Sequence, residues 1–305
     1  MMKTDFRQER SLGAYIWKII GYIIMILFSL LAIVPVLWLI VNSFKTTVEF
    51  NSNMAGWPKK FFTQNYPGAW RAGDFGILFV NSVVYTVMSV GISGFFSLLA
   101  GFGFSKIPGK SAKIIYSIFI LGLLLTTQTL MVPIFLQVSQ LDGVIGRLLE
   151  KVGLCAAEDF HLFYNTRFAV ILVYVGSLLP IGIYLCTEYV RSIPTSLVEA
   201  ARIDGAGYLR IFNLIVIPMS TPILITLGLL NIPTIWNEFA LINILVSKTS
   251  LQSLPLGIYR FSGTLSSDYG KEFAALVIGL MPMLLFYLIF RKQITNNVGA
   301  GAVKG

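Results

Sequence analysis

Residues 19–44 read IIGYIIMILFSLLAIVPVLWLIVNSF, a run of 26 residues without Asp, Glu, Lys or Arg. A bilayer core about 30 Å thick needs roughly 20 apolar residues of helix, so this run is long enough to cross it. The run also exceeds the roughly 7 to 15 apolar residues of a signal-peptide core, and no small-residue cleavage site follows Val41. We therefore expect a retained transmembrane helix.

Five more runs of at least 18 residues lack the same four residue types: 75–105, 114–141, 168–187, 211–237 and 273–290. In hydrocarbon every backbone amide must be hydrogen-bonded within the protein, and the apolar alternation is too weak for barrel strands, so all six runs are predicted as helices. Pro218, Pro222 and Pro233 fall in the fifth run, which predicts a tilted, kinked helix. The predicted fold class is all-α, a polytopic membrane protein with six transmembrane helices.

The composition agrees with this fold class, since 56% of residues are hydrophobic and only 12% are charged, against about 25% charged in soluble proteins. The net charge of +9 comes from residues between the predicted spans. The loops on the side of the N-terminus carry 13 Lys and Arg against 10 on the other side. Basic loops are cytoplasmic by the positive-inside rule, so both termini are predicted to be cytoplasmic. The positive charge therefore indicates topology beside membrane lipid, and no nucleic-acid binding.

We expect no catalytic or metal site. Two cysteines, Cys155 and Cys186, cannot form a disulfide framework, and a single histidine, His161, leaves no His-based metal cluster or catalytic triad. Residues 109–111 read Gly-Lys-Ser as at the end of a P-loop, but Phe104 stands where that motif needs glycine. The chain is predicted to be no enzyme, to bind no cofactor and to hold no nucleotide itself.

The loop between the fourth and fifth runs, residues 191–218, reads RSIPTSLVEAARIDGAGYLRIFNLIVIP. Ser196 followed by Glu199 predicts a capping box at the start of a short helix, and Gly205 and Gly207 predict its end and a turn. The adjacent small side chains of Ala200 and Ala201 suit close seating in a groove, with charged residues at the edges. From the local chemistry alone, an ordinary helical connector remains an equal alternative.

The spacing in this loop favours a specific function. Glu199-Ala-Ala is followed after three residues by Gly205 and after nine more by Ile-Val-Ile-Pro218, which resembles the EAA loop of permease subunits of bacterial ATP-driven importers. The strings WNEF at 236–239, SLPLG at 253–257 and GAVKG at 301–305 are also similar to that family. Together they resemble the smaller permease of the maltose-type pair over nearly the whole chain.

The resemblance implies a binding-protein-dependent importer of a sugar or oligosaccharide in the bacterial cytoplasmic membrane. It implies a cytoplasmic N-terminal segment (1–18), a permease domain (19–292) and a cytoplasmic tail (293–305). The implied partners are two ATP-binding subunits, which hold ATP and Mg, a second homologous permease and an extracytoplasmic solute-binding protein. The cytoplasmic coupling helix would dock on the ATPase through Ser196, Glu199, Ala200, Ala201, Asp204, Gly205, Gly207 and Pro218. The tail would reach the ATPase subunits through Gly301, Lys304 and Gly305.

The candidate lining of the solute pathway is less specific. It consists of Asn231, Trp236, Asn237 and Glu238, and Glu238 is alternatively a helix-end carboxylate near the outer surface. In the resembled family most sugar contacts fall on the partner permease. An importer permease for a non-sugar solute remains an alternative, as does a secondary transporter or channel, which would require buried ion-coupling carboxylates.

Overall fold

The structure is a computed structural model that describes residues 12–107, 109–152, 162–264 and 268–302. These residues form helices and no β-strand, which confirms the all-α fold class. In chain order the α-helices are α1 (Leu12–Asn42), α2 (Thr47–Ser52), α3 (Asn65–Ala72), α4 (Phe75–Lys106), α5 (Lys110–Gly122), α6 (Thr127–Lys151), α7 (Arg167–Ser192), α8 (Thr195–Ile203), α9 (Tyr208–Ile211), α10 (Ile217–Met219), α11 (Thr221–Trp236), α12 (Ala240–Leu245), α13 (Leu254–Thr264) and α14 (Tyr269–Ala302). A π-helical turn occupies Phe212–Val216 and a 3-10 turn Thr249–Leu251.

Five described helices are long and apolar enough to cross a membrane: Tyr15–Asn42, Phe75–Lys106, Thr127–Lys151, Arg167–Ser192 and Tyr269–Ile294. A sixth span is formed if Tyr208–Met219 and Thr221–Trp236 are counted together, although they are bent by 67° at Ser220. The predicted kink in the fifth span is therefore confirmed. Pro222, at the second position of α11, is tolerated there because the first turn of a helix has no partner for its N–H groups.

The third span differs from the prediction of one helix over 114–141. The helix is interrupted at residues 123–126, between α5 and α6. Thr126 starts the second helix because its side chain accepts a hydrogen bond from the backbone N of Thr129 at 3.4 Å, as an N-cap does. Gly122, the last residue of α5, lies so close to Pro180 of α7 that an added Cβ would be 3.3 Å from the proline ring. A run without charges defines the apolar length but not the cap within it.

The chain divides into two compact units, of which the first comprises Met1–Ala69 and Thr264–Ile278. Its core is aromatic, with the rings of Trp38 and Phe50 lying 5.4 Å and 4.9 Å from that of Phe273. Lys45 is fully buried and donates from Nζ to the carbonyl oxygen of Asn53 at 2.7 Å. Burial lowers the pKa of Lys45, because desolvation disfavours the charged ammonium.

The second unit comprises Trp70–Gly263 and Gly279–Gly305, and the close pairing of α4 and α7 is its centre. Small residues allow the two helices to approach, since a Cβ at Gly101 would lie 2.9 Å from the backbone of Cys186. At one end of the pair, Phe102 and Val190 are buried with Phe212 in one hydrophobic cluster. A second cluster surrounds residues of α7, α11 and α12. The two clusters support the two sites described below.

Candidate functional site

In the loop predicted to carry the function, two residues separate the end of α7 from the start of α8. Ile193 has an extended backbone (φ −68°, ψ 128°) and a buried side chain. The residue before a proline is disfavoured in the helical conformation, which ends α7 ahead of Pro194. Lys106, at the end of α4, donates from Nζ to the carbonyl oxygen of Ile193 at 2.6 Å. The base of α8 is therefore attached to α4 as well as to α7.

One face of α8 packs onto the protein. Val198 is 7% exposed, and Ala201, three residues further on, is half-buried against the same cluster as Ile211 and Phe212. Burying an aliphatic side chain of this kind stabilises the fold by roughly 1.5 to 3 kcal/mol. Because Ile211 and Phe212 belong to the start of the fifth span, α8 is held by residues from both of the spans that it connects.

The opposite face of α8 is exposed. Residues three and four apart share one side of a helix, and the exposed residues at i, i+3, i+4 and i+7 are Ser196, Glu199, Ala200 and Ile203. The side chain of Ile203 is 86% exposed, although it is as apolar as a core residue. A helix face that exposes a small residue, a carboxylate and an isoleucine to solvent has the composition of a docking surface for another protein.

Gly205 ends α8 as predicted. Its φ is +80°, which strains any residue with a Cβ. The N–H of Gly205 donates to the carbonyl of Arg202 at 3.0 Å, and that of Ala206 to the carbonyl of Ala201 at 2.9 Å, which is the Schellman arrangement. Gly207 has an ordinary φ of −70° and precedes α9. The direction of the chain after α8 therefore depends on Gly205.

The predicted capping box is wrong. The helix begins at Thr195 with Pro194 at its N-cap, and no side chain caps it. Ser196 therefore lies one residue inside the helix, so its backbone is already helical and its hydroxyl does not have the N-cap position that a capping box requires. At the other end, the guanidinium of Arg202 lies 5.1 Å from the centre of the Tyr208 ring, across the turn.

The remaining predicted docking residues are separated by the structure. Asp204 is the exposed C-cap of α8. Pro218 lies in α10, beyond the π-helical turn and two residues before the 67° bend, so it belongs to the fifth span and not to the loop. Gly301 lies in α14, which continues through most of the predicted tail. Lys304 and Gly305 lie outside the described residues, as do Cys155 and His161.

Two of the four residues predicted to line the solute pathway lie at a cavity of about 300 Å³ between α6, α7, α11 and α12. Asn237 and Glu238 both line it, whereas Asn231 and Trp236 are buried elsewhere. Trp236 packs edge-on against Phe79, with ring centres 5.8 Å apart, and lines a different, apolar cavity. Because successive residues at a helix end point in different directions, Trp236 lines the apolar cavity, whereas residues 237–239 line the other one.

The position of Glu238 is fixed by hydrogen bonds. The hydroxyl of Tyr174 donates to its Oε2 at 2.6 Å, and the backbone N of Leu241 donates to its Oε1 at 2.6 Å. The carboxylate thereby joins α7 to the start of α12. Sequence reasoning missed Tyr174 and the exposed Ile203. Only the repeat of exposed positions along α8 would have indicated the latter. Within the described chain, no group of three or more His, Cys, Asp or Glu side chains is arranged to hold a metal ion.

The part of the chain that matches known proteins includes α8 and the residues that line the cavity. Residues 93–295 match the family model described as "Binding-protein-dependent transport system inner membrane component". The chain is 31% identical over 294 residues to the multiple sugar-binding transport system permease protein MsmG of Streptococcus mutans, over 95% of this chain and 97% of that protein. It is 30% identical over 287 residues to the diacetylchitobiose uptake system permease protein NgcG of Streptomyces coelicolor, over 93% and 88%. A chain from the crystal structure of a bacterial ABC transporter that imports the acidic polysaccharide alginate has a similar fold, with a TM-score of 0.74 and 22% identity over 92% of this chain and 98% of that chain.

Proposed function

The chain belongs to the inner membrane components of binding-protein-dependent transport systems, and from this premise we propose that it is the permease subunit of an ATP-driven importer of a sugar or an oligosaccharide. It is a multi-pass membrane protein and a transport component of a system whose ATPase activity lies in a separate subunit. The names of relatives that transport multiple sugars and diacetylchitobiose support the solute class. The bacterial cytoplasmic membrane is its proposed location.

The observation that carries this proposal is the exposed face of α8. We infer that Glu199, Ala200 and Ile203 contact an ATP-binding subunit directly, with Ser196 and Asp204 at the edges of the contact. Ala201 and Gly205 support the contact from within, because one packs the helix onto the protein and the other sets its end. ATP and Mg would be bound by two such ATP-binding subunits, and this chain would bind neither.

The attachment of α8 explains how docking transmits motion. The helix follows α7 after two residues, its base is hydrogen-bonded to α4 through Lys106, and its buried face belongs to the hydrophobic cluster that includes Ile211 and Phe212. A displacement of α8 therefore displaces three spans together. A ligand shifts a conformational equilibrium only by binding one state more tightly, so ATP would favour the state in which the docked α8 is drawn toward the closed ATPase pair.

Topology follows from this assignment. If α8 faces the ATPase, the ends of α4 and α7 next to Lys106 and Ile193 are cytoplasmic, and with six spans both termini are cytoplasmic as well. The end of α14 and the residues after it, including Gly301, would then lie on the ATPase side. The opposite ends of the spans would face the solute-binding protein, and a second homologous permease would complete the pathway beside Asn237 and Glu238.

The test is ATP-driven uptake in proteoliposomes that contain this chain, the second permease and the ATP-binding subunits. The external solute-binding protein is loaded with labelled maltotriose, raffinose or diacetylchitobiose. We expect the wild-type complex to import at least one of these sugars, and to do so only when ATP is present inside the proteoliposomes. Ala200→Trp should abolish import because the indole cannot fit where a methyl group seats, whereas Ser111→Trp, at an exposed position in the first turn of α5, should import normally. Import without ATP, or normal import by Ala200→Trp, would contradict the proposal.

A further inference from the structure

Two interruptions of helical structure lie next to residues that line the cavity beside Glu238. The first is the break at residues 123–126 before α6, and the second is the segment 237–239 between α11 and α12. The first turns of α6, which follow the first break, contribute Thr127, Gln128 and Met131 to the cavity lining, and all three residues of the second break line it. Non-helical backbone within a membrane is tolerated where it is buried in protein or lines a water-filled cavity, and residues 237–239 line this one.

The cavity is lined by groups that bind hydroxyls. The first turn of α6 contributes Thr127 and the exposed amide of Gln128, and the second break contributes the exposed amide of Asn237. Ser177 of α7 and Thr234 of α11 complete the polar lining. An amide both donates and accepts hydrogen bonds, as a sugar hydroxyl does, so these side chains match a polyhydroxylated solute.

An aromatic surface borders the same cavity. Phe239 lines it and is 42% exposed, and its ring centre lies 5.5 Å from that of Tyr259, with the planes tilted by 33°. Tyr259, in α13, is 63% exposed. An apolar ring face next to polar groups that converge on one space is the composition expected of a small-molecule site, and the C–H face of a sugar ring is apolar enough to pack on it.

The charge of the lining selects among solutes. Among the residues that the structure describes, the ionisable members of the lining are Tyr174 and Glu238, and none is a Lys or an Arg. Glu238 is held in place by Tyr174 and Leu241 and contributes negative charge. An anionic ring would meet this carboxylate without a compensating cation, which disfavours it. A neutral ring would meet the hydrogen-bonding groups and the apolar face of Phe239 without this repulsion.

We propose that this chain carries its own subsite for one neutral sugar ring of the transported solute, formed by Gln128, Asn237 and Phe239 and oriented by Glu238. The volume of about 300 Å³ is at the lower end of the range for ligand pockets, so the subsite holds a single ring and not a whole oligosaccharide. The inference rests on the proposed function and deepens it, because it assigns solute contacts to this permease as well as to its partner.

The experiment uses the complete reconstituted complex with the binding protein and the labelled neutral sugar that the wild type imports. The readout is the number of sugar molecules imported per ATP hydrolysed. Gln128→Ala, Asn237→Ala and Phe239→Leu should each lower this ratio at least fivefold, because the ring is lost before the pathway closes behind it. Asn213→Ala removes an exposed amide outside the cavity and should keep the wild-type ratio. Co-purification of the ATP-binding subunits checks that each complex is assembled.

The outcomes separate the two proposals. If the wild type imports a neutral sugar and all three cavity variants keep the wild-type ratio, the subsite is refuted and the proposed function stands. If the wild-type complex imports acidic oligosaccharides and no neutral one, the assignment to a neutral ring is refuted. If the wild-type complex imports no sugar of either kind, the proposed function and the subsite are both refuted.

Discussion

Replacing Ile203 by alanine should weaken the binding of the ATP-binding subunit roughly 30-fold without destabilising the permease. The substitution removes three carbon atoms, and each buried CH₂ contributes about 0.8 kcal/mol, which gives roughly 2.4 kcal/mol when all three are buried on docking. Because the side chain is 86% exposed in the free chain, about 2 kcal/mol of this depends on the partner. A difference of about 1.4 kcal/mol is a factor of ten in Kd, and about 2 kcal/mol corresponds to roughly 30-fold.

The assay is a titration of the permease complex in nanodiscs with fluorescently labelled ATP-binding subunit. Leu214→Ala is the matched control, since Leu214 is also apolar and 65% exposed but lies in the π-helical turn and not on α8. Thermal unfolding of Ile203→Ala should match that of the wild type, because an exposed side chain leaves no cavity when it is shortened. A Kd within twofold of the wild type, or an equal loss of binding in Leu214→Ala, would refute the docking face.

Other predictions concern the charge and the backbone around the docking helix. Glu199→Lys reverses the charge of the exposed face and should reduce recovery of the ATP-binding subunit in co-purification, and full recovery at low salt would count against a basic partner group. Gly205→Ala should lower the free energy of unfolding by about 1 to 2 kcal/mol, because the φ of residue 205 is +80°. Gly207→Ala should leave it unchanged, because residue 207 has φ −70° and no atom lies within 4 Å of the new Cβ. Equal melting temperatures of the two variants would contradict the argument from backbone strain. Gly101→Ala should destabilise the α4–α7 pair by roughly 1 to 3 kcal/mol, because its Cβ would lie 2.9 Å from the backbone of α7. Gly103→Ala is the control, since no atom lies within 4 Å of its Cβ. Identical unfolding curves of the two variants in detergent would contradict the close approach of α4 and α7 at Gly101.

The spans were predictable because charge is excluded from hydrocarbon over a fixed thickness. The run 75–105 and the helix Phe75–Lys106 differ by one residue, since Lys106 is the first charge beyond the apolar length. The kink of the fifth span was predictable from its prolines, although its position at Ser220 was not. These features depend on composition along the chain, which a sequence displays directly.

Features that depend on register or tertiary contact were not predictable in the same way. The break before α6 depends on the cap at Thr126 and on the approach of Gly122 to α7, and neither alters the charge pattern. The prediction of a capping box was wrong because α8 begins at Thr195, directly after Pro194, and Ser196 is therefore not the N-cap. Ile203 was overlooked because an isoleucine is most often buried, and its exposure becomes apparent only once Val198 is known to face the core.

The two candidate sites lie at opposite ends of the same pair of spans. Tyr174 lies 18 residues before the end of α7, which is about 27 Å along a helix, and it donates to Glu238 just beyond the end of α11. The other ends of these spans are joined by α8. If the ATPase docks on α8 as proposed and changes the angle between the two spans there, the separation of Tyr174 and Glu238 at the cavity would change as well. Since each ligand acts only through its differential affinity for two states, the two proposed sites together predict that ATP changes the affinity for the sugar and that the sugar changes the affinity for ATP.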